Sequence, residues 1–204
     1  MDLEQLVIIY TKDYGTNDVY VKYFCYIDTM KKPNKNILIT GIAGLLGSHM
    51  ANYLIKMGYN VVGIDNLSGG YIENIPARAK FFEIDLLDHE EVEKVIVNEK
   101  INFIYHFAAY AAEGLSPFIR KFNYENNLIA STNLITCSIK YNVDRFIFAS
   151  SMSVYGNKYE PPFSEDLQQC PIDPYGVAKF GVEQDLKIAL DQHGLKYTII
   201  RPHN

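Results

Sequence analysis

Short apolar runs alternate with amphipathic stretches from residue 36 to the end of the 204-residue chain. The apolar runs have the length of buried strands and the stretches between them the length of helices, a pattern typical of βαβ units with a parallel sheet. The predicted strands cover residues 36–40, 60–65, 80–84, 103–107, 145–150 and 196–200, and the predicted helices cover residues 45–57, 89–98, 117–141 and 174–193. Right-handed crossovers place helices on both faces of such a sheet. We therefore predict an α/β fold with a doubly wound parallel sheet.

Residues 1–33 do not follow this alternation, and we predict them to be an N-terminal extension ahead of a sheet domain at residues 34–204. Residues 19–27 alternate enough to form a strand, and residues 14–17 are a candidate for its turn. Met30 stands just before the first predicted strand. The extension is therefore either a lineage-specific addition or the product of a misassigned start, and both alternatives stay open.

The bulk composition argues against several classes of protein. A net charge of -5 provides no excess of Lys and Arg to neutralise a phosphate backbone, so we expect no binding to nucleic acid. The three cysteines are scattered without CxxC spacing, which predicts neither a disulfide framework nor a metal site. No apolar run has the length of a membrane span and the N-terminus lacks a signal-peptide pattern, so we expect a cytoplasmic protein without membrane contact.

A glycine-rich loop joins the first predicted strand to the first predicted helix. Gly41, Gly44 and Gly47 have the GxxGxxG spacing of a dinucleotide fingerprint in its strand-to-helix context. The first glycine permits a tight turn, the second lets the backbone approach a pyrophosphate, and the third allows close packing of helix on strand. The helix begins at Leu45 and Leu46, where free amides and a partial positive charge face a phosphate. All five residues are candidate cofactor-binding residues, and the alternative is an ordinary glycine-containing turn.

Asp65 ends the second predicted strand, about twenty residues after the glycine loop, where a dinucleotide fingerprint has its acidic residue. A carboxylate there accepts hydrogen bonds from the adenosine ribose hydroxyls and repels a 2'-phosphate. We therefore predict NAD rather than NADP as the cofactor, with Asp65 and the adjacent Asn66 in its site. The alternative is that Asp65 caps a turn.

Ser151 follows the fifth predicted strand, and Tyr175 and Lys179 form a YxxxK pair in the next helix, one turn apart on the same face. A lysine ammonium close to a tyrosine favours the phenolate, so we expect Lys179 to lower the pKa of Tyr175 toward the range of a general base. The Ser151 hydroxyl is placed to orient a reacting oxygen. Each motif alone is common, but their combination with the glycine loop indicates a catalytic set. We count Tyr175 and Lys179 among the cofactor-binding residues as well.

Together these motifs resemble the extended short-chain dehydrogenase/reductases of the NAD-dependent epimerase/dehydratase family over residues 36–204. Within that family, residues 111–116 and 200–204 look like those of the UDP-glucose 4-epimerase branch. The resemblance implies a Rossmann fold that binds NAD. It also implies a wider set of cofactor contacts, with Asp85 and Leu86 beside the adenine, Phe107, Ala108 and Ala109 along the cofactor, and Asn126 in support.

Several of these residues have ordinary structural alternatives. Asp85 is also a candidate helix cap, and Phe107 and Asn126 are candidates for core packing. For His106, which lies beside them in the sequence, we favour the structural interpretation, a core histidine with satisfied hydrogen bonds.

One departure from related families separates reaction types. Sugar-nucleotide 4,6-dehydratases carry an acidic pair where this chain has Met152 and Ser153, and neither side chain here serves as a general acid or base. A related decarboxylase pattern keeps a glutamate at the position of Ser153. The resemblance therefore implies an NAD-dependent epimerase that acts on a nucleotide sugar, a UDP-hexose. In that reaction Tyr175 removes the C4 hydroxyl proton, NAD takes the C4 hydride, and the 4-keto sugar is reduced on its other face.

The resemblance also bears on assembly and completeness. The predicted helices 117–141 and 174–193 resemble helices that pair across a two-fold axis in this family, which implies a homodimer; the alternative is that they only cover the sheet. Enzymes of this type carry a C-terminal substrate lobe, and the chain ends at Asn204, so we expect that lobe to be missing. A catalytically incomplete NAD-binding, dimerising fragment and a sugar-nucleotide dehydratase or reductase remain alternatives to the epimerase.

Overall fold

The computed structural model describes residues 5–9, 35–160 and 163–202. Within these ranges the strands are β1 (Gln5–Ile9), β2 (Asn36–Thr40), β3 (Asn60–Asp65), β4 (Lys80–Glu83), β5 (Phe103–His106), β6 (Arg145–Ala149) and β7 (Tyr197–Arg201). The α-helices are α1 (Leu45–Lys56), α2 (His89–Asn98), α3 (Arg120–Tyr124), α4 (Ala130–Lys140) and α5 (Pro174–His193).

All the strands lie parallel in one sheet with the order β1-β7-β6-β5-β2-β3-β4. Strand β2 has β3 on one side and β5 on the other, so the direction of winding reverses between β2 and β5. At such a switch point the loops that follow the two strands leave the sheet on opposite faces and open a crevice at its carboxyl edge. The doubly wound parallel sheet predicted from the sequence is confirmed.

Two apolar cores fill the space on the two faces of the sheet. One contains Ile37 of β2 and Leu54 of α1. The other contains Leu38 of β2, Leu134 of α4 and Leu186 of α5. Because successive residues of a strand point to opposite faces, β2 contributes to both cores and is apolar along most of its length. Helices therefore cover both faces, as the alternation of apolar runs predicted.

The predicted helix at residues 117–141 differs most from the structure. It is divided into α3 and α4 by a π turn at Glu125–Ile129. A π turn adds a residue to one helical turn and rotates the side chains that follow it, and such turns are frequent at functional sites. Periodicity averaged over a long window does not detect one inserted residue.

The N-terminal region also requires a correction, because Gln5–Ile9 is not outside the sheet. This segment pairs in parallel with β7, with Gln5 opposite Tyr197, and forms an edge strand. The edge of a parallel sheet offers unpaired N–H and C=O groups that accept a further strand, whatever its distance along the chain. The predicted strand at residues 19–27 and the turn at residues 14–17 lie outside the described residues, and the domain boundary at residue 33 stays a prediction.

Among the described helices, none combines the length and the apolar character needed to cross a membrane.

Candidate active site

The glycine loop after β2 lies directly against the end of β5. Gly41 has a φ of +71°, and a Cβ atom there would lie 2.7 Å from the backbone nitrogen of Ala108. A Cβ atom at Gly47 would lie 2.1 Å from the carbonyl oxygen of Gly41. At Gly44 the nearest such atom is the Gly41 oxygen at 3.3 Å, so one side of this residue is open. The loop is packed tightly at its first and third glycines and accessible at the second, as a pyrophosphate site requires.

Helix α1 begins at this accessible position. Its N-cap is Gly44, no side chain caps it within the described residues, and its first turn holds no acidic residue. Leu45 and Leu46 are 73% and 50% exposed. The first amides of the helix therefore face a position that an anion can occupy without competition from a carboxylate of the same turn.

Asp65, at the end of β3, makes two contacts with backbone amides. Its Oδ2 atom accepts a hydrogen bond from the Ala43 nitrogen at 2.9 Å, and its Oδ1 atom accepts one from the Leu67 nitrogen at 2.8 Å. The carboxylate thus ties the glycine loop to β3 and also caps a turn, which was the alternative interpretation. Each carboxylate oxygen can accept more than one hydrogen bond, so these contacts leave room for ribose hydroxyls.

The residues expected beside an adenine come together at the ends of β3 and β4. The Asn66 side-chain amide donates to Asp85 Oδ2 at 3.0 Å, and Asp85 Oδ1 accepts from the Leu87 nitrogen at 2.9 Å. Leu86 is buried. Asp85 does not cap α2, because the N-cap of that helix is Asp88.

The three predicted catalytic residues meet at the carboxyl end of β6. Tyr175 and Lys179 are buried one turn apart on α5, with the lysine Nζ atom 5.7 Å from the centroid of the tyrosine ring. That ammonium donates to the carbonyl oxygen of Ala149 at 2.8 Å. Ser151 caps the 3-10 turn Met152–Tyr155, and its hydroxyl lies 2.8 Å from the hydroxyl of Ser153.

The expected lowering of the Tyr175 pKa is wrong for this structure. Burial raises the pKa of Tyr175 to about 12, because the phenolate is poorly solvated there, and the hydrogen bond to the Ser151 hydroxyl opposes this only in part. The charges of Glu113 and Asp173 raise the same pKa further. Burial also lowers the pKa of Lys179 to about 7, against the charge of Glu183. The YxxxK spacing indicates the charge of the lysine, whereas the desolvation of both groups follows only from their burial in the fold.

Polar contacts that the sequence analysis missed hold the first turn of α5, where Tyr175 stands. Asp173 is the N-cap and accepts from the Gly176 nitrogen at 2.9 Å. The buried hydroxyl of Ser116 accepts from the Tyr175 nitrogen at 3.2 Å, and the Asn123 side-chain amide donates to the Pro174 carbonyl at 2.9 Å. An aspartate followed by proline is a helix-start signal that was available in the sequence, whereas the two distant contacts were not.

His106 lies at the centre of a buried chain of hydrogen bonds behind the glycine loop. The Ala108 nitrogen donates to Thr40 Oγ1 at 3.3 Å, and Thr40 Oγ1 lies 2.7 Å from His106 Nδ1. On the other side, His106 Nε2 lies 2.8 Å from Ser131 Oγ, which donates to the Asn127 carbonyl at 2.8 Å. Burial lowers the pKa of His106 to about 3, so the ring is neutral. The structural interpretation of this histidine is confirmed.

Two adjacent asparagines in the π turn have different environments. The Asn126 side chain donates to the Phe122 carbonyl at 2.9 Å, within its own helical segment. The buried Asn127 side chain instead bonds both backbone groups of Tyr110, at 2.9 and 3.1 Å, and donates to Asn123 at 2.8 Å. In this structure the support of the segment after β5 therefore comes from Asn127, while a cofactor contact by Asn126 stays a prediction.

The remaining predicted contacts surround the crevice between β2 and β5. Phe107 and Ala108 are half-buried at the end of β5, and Ala109 is exposed. Within the described residues, no group of three or more His, Cys, Asp or Glu side chains could hold a metal ion. The arrangement as a whole fits an elongated, phosphate-containing ligand across the carboxyl edge of the sheet, with a tyrosine, a serine and a lysine at one end.

Comparisons with known proteins agree with this geometry. Residues 37–204 match the model of the NAD dependent epimerase/dehydratase family. A UDP-glucose 4-epimerase of Schizosaccharomyces pombe is 37% identical in an alignment of 158 positions that covers 72% of this chain and 44% of the relative. One of Bacillus subtilis is 38% identical in an alignment of 159 positions that covers 74% of this chain and 47% of the relative.

Solved structures give the same result. The structure of UDP-glucose 4-epimerase from Thermotoga maritima with UDP-glucose has a TM-score of 0.79 at 39% identity, over 81% of this chain and 54% of that one. The Thermus thermophilus enzyme in complex with NAD has a TM-score of 0.78 at 32% identity, over 81% and 54%. The chain thus spans about half the length of the relatives it matches. It belongs to the NAD-dependent epimerase/dehydratase family.

Proposed function

We propose that this chain binds NAD and contributes the catalytic residues for C4 epimerisation of a UDP-hexose, of the UDP-glucose/UDP-galactose type. The observation that carries the proposal is the position of Ser151, Tyr175 and Lys179. They stand at the carboxyl end of β6, on the sheet edge where the glycine loop follows β2. Relatives that are named UDP-glucose 4-epimerases, one of them solved with UDP-glucose and another with NAD, support the same substrate and cofactor.

The glycine loop and its neighbours are proposed to hold the cofactor. The pyrophosphate would lie on the open side of Gly44 and at the N-terminus of α1, and the adenosine ribose would lie against Asp65. Asn66, Asp85 and Leu86 would border the adenine. The exposed Leu45 and Leu46 would be covered by the ligand. Bound NAD would supply the hydride acceptor and donor, and its oxidised ring would add a positive charge to the site.

Tyr175 is proposed as the group that takes the proton from the C4 hydroxyl and later returns it. Its phenol has a raised pKa in this structure, so it requires nearby positive charge to reach its phenolate form. Lys179 is the closest candidate, with its Nζ atom 5.7 Å from the ring centroid. Ser151 would donate to the reacting oxygen and hold it near Tyr175. The same tyrosine can serve both faces of the sugar if the 4-keto sugar turns over between the two steps.

The residues that follow Ser151 favour epimerisation over dehydration. Met152 and Ser153 occupy the positions where the related dehydratases carry an acidic pair, and the Ser153 hydroxyl is hydrogen-bonded to that of Ser151. Dehydration needs an acid and a base to remove a hydroxyl group, whereas epimerisation needs only proton and hydride transfer at one carbon.

A homodimer in the cytoplasm completes the proposal. Helices α3 and α5 pack side by side, and they and the adjoining turns carry outward-facing apolar side chains. The exposed members are Phe118, Phe122, Ile129, Val177 and Ile188. An apolar surface on two adjacent helices is suited to a self-complementary contact across a two-fold axis.

The test is incubation of the purified chain with NAD and UDP-galactose, with UDP-glucose followed by chromatography. Tyr175→Phe is the control for catalysis, and a parallel titration measures NAD binding. UDP-glucose that forms with the wild type and not with the variant would support the epimerase. NAD binding without product would leave a cofactor-binding fragment, and stoichiometric release of NADH would indicate net oxidation of the sugar, as by a reductase that runs in reverse, instead of epimerisation.

A further inference from the structure

A buried charge cluster lies directly behind the proposed catalytic residues. Glu183 follows Lys179 by one turn of α5, and its carboxylate is fully buried. Arg201, at the end of β7, donates from Nε to Oε1 at 2.9 Å and from Nη2 to Oε2 at 2.6 Å. The Ser150 hydroxyl donates to Oε1 at 2.5 Å. The carboxylate therefore has three donors, which is the arrangement that makes a buried anion tolerable.

The cluster continues from Arg201 to the segment that follows the 3-10 turn. The Arg201 Nη1 atom donates to the Tyr155 hydroxyl, which donates in turn to the Ser164 carbonyl at 3.2 Å. The Tyr155 ring stacks on Phe163 with centroids 5.3 Å apart and planes at 4°. Helix α5, the end of β7 and the segment after Ser151 are thereby joined through buried side chains.

Two side chains of α5 form hydrogen bonds to the residues just before Ser151. Ser150, held by Glu183, immediately precedes Ser151. The carbonyl of Ala149, the residue before that, accepts the hydrogen bond from Lys179. The end of β6 is therefore held by two side chains of α5, the Glu183 carboxylate through Ser150 and the Lys179 ammonium through Ala149.

The groups that face the Lys179 ammonium come from three elements of the fold. Its own helix presents Tyr175 and Glu183, β5 presents the neutral His106, and β6 presents the Phe148 ring at 4.8 Å. Arg201 adds a second buried cation behind Glu183. A buried ammonium without a counter-charge loses its proton. Burial lowers the pKa of Lys179 to about 7, and the negative charge of Glu183 opposes this lowering.

We propose that Glu183 is a positioning residue of the active site: its carboxylate fixes the end of β6 that precedes Ser151 and, from one helical turn away, favours the ammonium form of the buried Lys179 side chain. The second role rests on the proposed function, since the ammonium is needed there beside Tyr175. A purely structural ion pair could be replaced by apolar groups at little cost, whereas this role requires the negative charge itself.

The charge of Lys179 can be measured without any turnover. The purified chain carrying isotope-labelled lysine is titrated by NMR, and Lys179→Met identifies the signal of interest. We expect Glu183→Gln, which keeps the shape and removes the charge, to lower the midpoint of the Lys179 titration by about 1 pH unit. Glu93→Gln, which removes a carboxylate from a surface contact with Lys140, is the matched control and should leave the midpoint unchanged. An unchanged midpoint in Glu183→Gln would overturn the proposal.

The positioning of Ser151 is tested by the kinetics of Glu183→Gln and Ser150→Ala. Both should reduce kcat about tenfold or more with little change in KM, because the reacting groups and not the substrate contacts are displaced. Only Glu183→Gln should also move the alkaline limb of the kcat profile to lower pH. Wild-type kcat in Ser150→Ala would contradict the positioning role. If the wild type shows no turnover, the proposed function fails, and the NMR titration still decides the role of Glu183.

A variant that replaces both charged partners covers the case in which Glu183→Gln does not fold. Glu183→Gln/Arg201→Met leaves no unpaired charge from this ion pair in the interior, so it should retain the fold. Its Lys179 midpoint should still lie below that of the wild type, because the anion one helical turn from the ammonium is gone. A midpoint at the wild-type value in this variant would overturn the proposal equally.

Discussion

Gly41 and Ala108 are so close that a Cβ atom on the glycine would lie 2.7 Å from the alanine backbone nitrogen. The contact joins the first turn of the glycine loop to the end of β5, and Gly41 also has a φ of +71°. Since the obstructing atom belongs to the backbone, it cannot move aside as a flexible side chain does. Both the conformation and the contact at this position require glycine.

Gly41→Ala should therefore destabilise the protein by about 2 kcal/mol or more and weaken NAD binding more than tenfold. Gly58→Ala is the matched control, because Gly58 has a φ of +88° and nothing within 4 Å of the added atom. It should cost only about 1–2 kcal/mol of backbone strain and leave NAD binding unchanged. Urea denaturation and a nucleotide titration measure the two effects. Equal affinities in both variants would contradict the proposed pyrophosphate site.

Asp65→Asn should weaken NAD binding by about tenfold and reduce the preference for NAD over NADP. The carboxylate accepts from the backbone nitrogens of Ala43 and Leu67, and an amide nitrogen cannot replace the second acceptor. Loss of the negative charge also removes the repulsion of a 2'-phosphate. Titrations with NADH and NADPH, followed by nucleotide fluorescence, give the ratio of affinities. Asp144→Asn, at an exposed ion pair with Lys35, is the control, and an unaltered ratio in Asp65→Asn would count against the cofactor assignment.

His106 should make the protein sensitive to acid. Burial lowers the pKa of His106 from 6.5 to about 3 in the folded state, so the unfolded chain takes up the proton first. The stability that the neutral ring contributes is complete above about pH 6.5 and is lost as the pH falls toward 3. The free energy of unfolding of the wild type, measured against that of His106→Gln, should decrease by up to about 1.4 kcal/mol per pH unit in this window. A pH-independent difference between the two proteins would show that His106 titrates normally.

Tyr197→Phe should be neutral or stabilising, by up to about 1 kcal/mol. The Tyr197 hydroxyl is buried without a hydrogen-bond partner among the described residues, so its removal ends a desolvation cost. Tyr155→Phe is the contrasting change, because that hydroxyl accepts from Arg201 and donates to the Ser164 carbonyl. It should destabilise the protein by about 1–3 kcal/mol. Thermal unfolding of the two variants would contradict this account if both melted at the same temperature.

Ile188→Glu should convert the proposed homodimer to a monomer. Ile188 is 50% exposed on α5. A carboxylate at this position would be buried in an apolar two-fold contact without a counter-charge, which is unfavourable. Val97→Glu is the control, since Val97 is 42% exposed on α2, away from the proposed contact. Sedimentation or light scattering gives the mass of each protein. A monomeric wild type would remove the dimer from the proposal.

Local signals in the sequence were sufficient for most of the elements and for the order of the motifs. The predicted strands at residues 36–40 and 60–65 have the same limits in the structure, as does the helix at residues 174–193. Each is bounded by a local signal, such as the glycine loop after β2 or the Asp173-Pro174 start of α5. The π turn and the edge strand Gln5–Ile9 were missed, because one depends on a single inserted residue and the other on pairing with β7.

The amino-acid sequence by itself determined the parallel sheet, the glycine loop and the spacing of Tyr175 and Lys179, because these depend on periodicity and on residues close together in the chain. Only the tertiary structure decided the electrostatics. It showed that burial raises the pKa of Tyr175 and that Asp65 accepts a hydrogen bond from the glycine loop. It also showed that Glu183 lies between Ser150 and Arg201. Desolvation and charge pairing depend on distances through the folded core, and residues far apart in sequence set those distances.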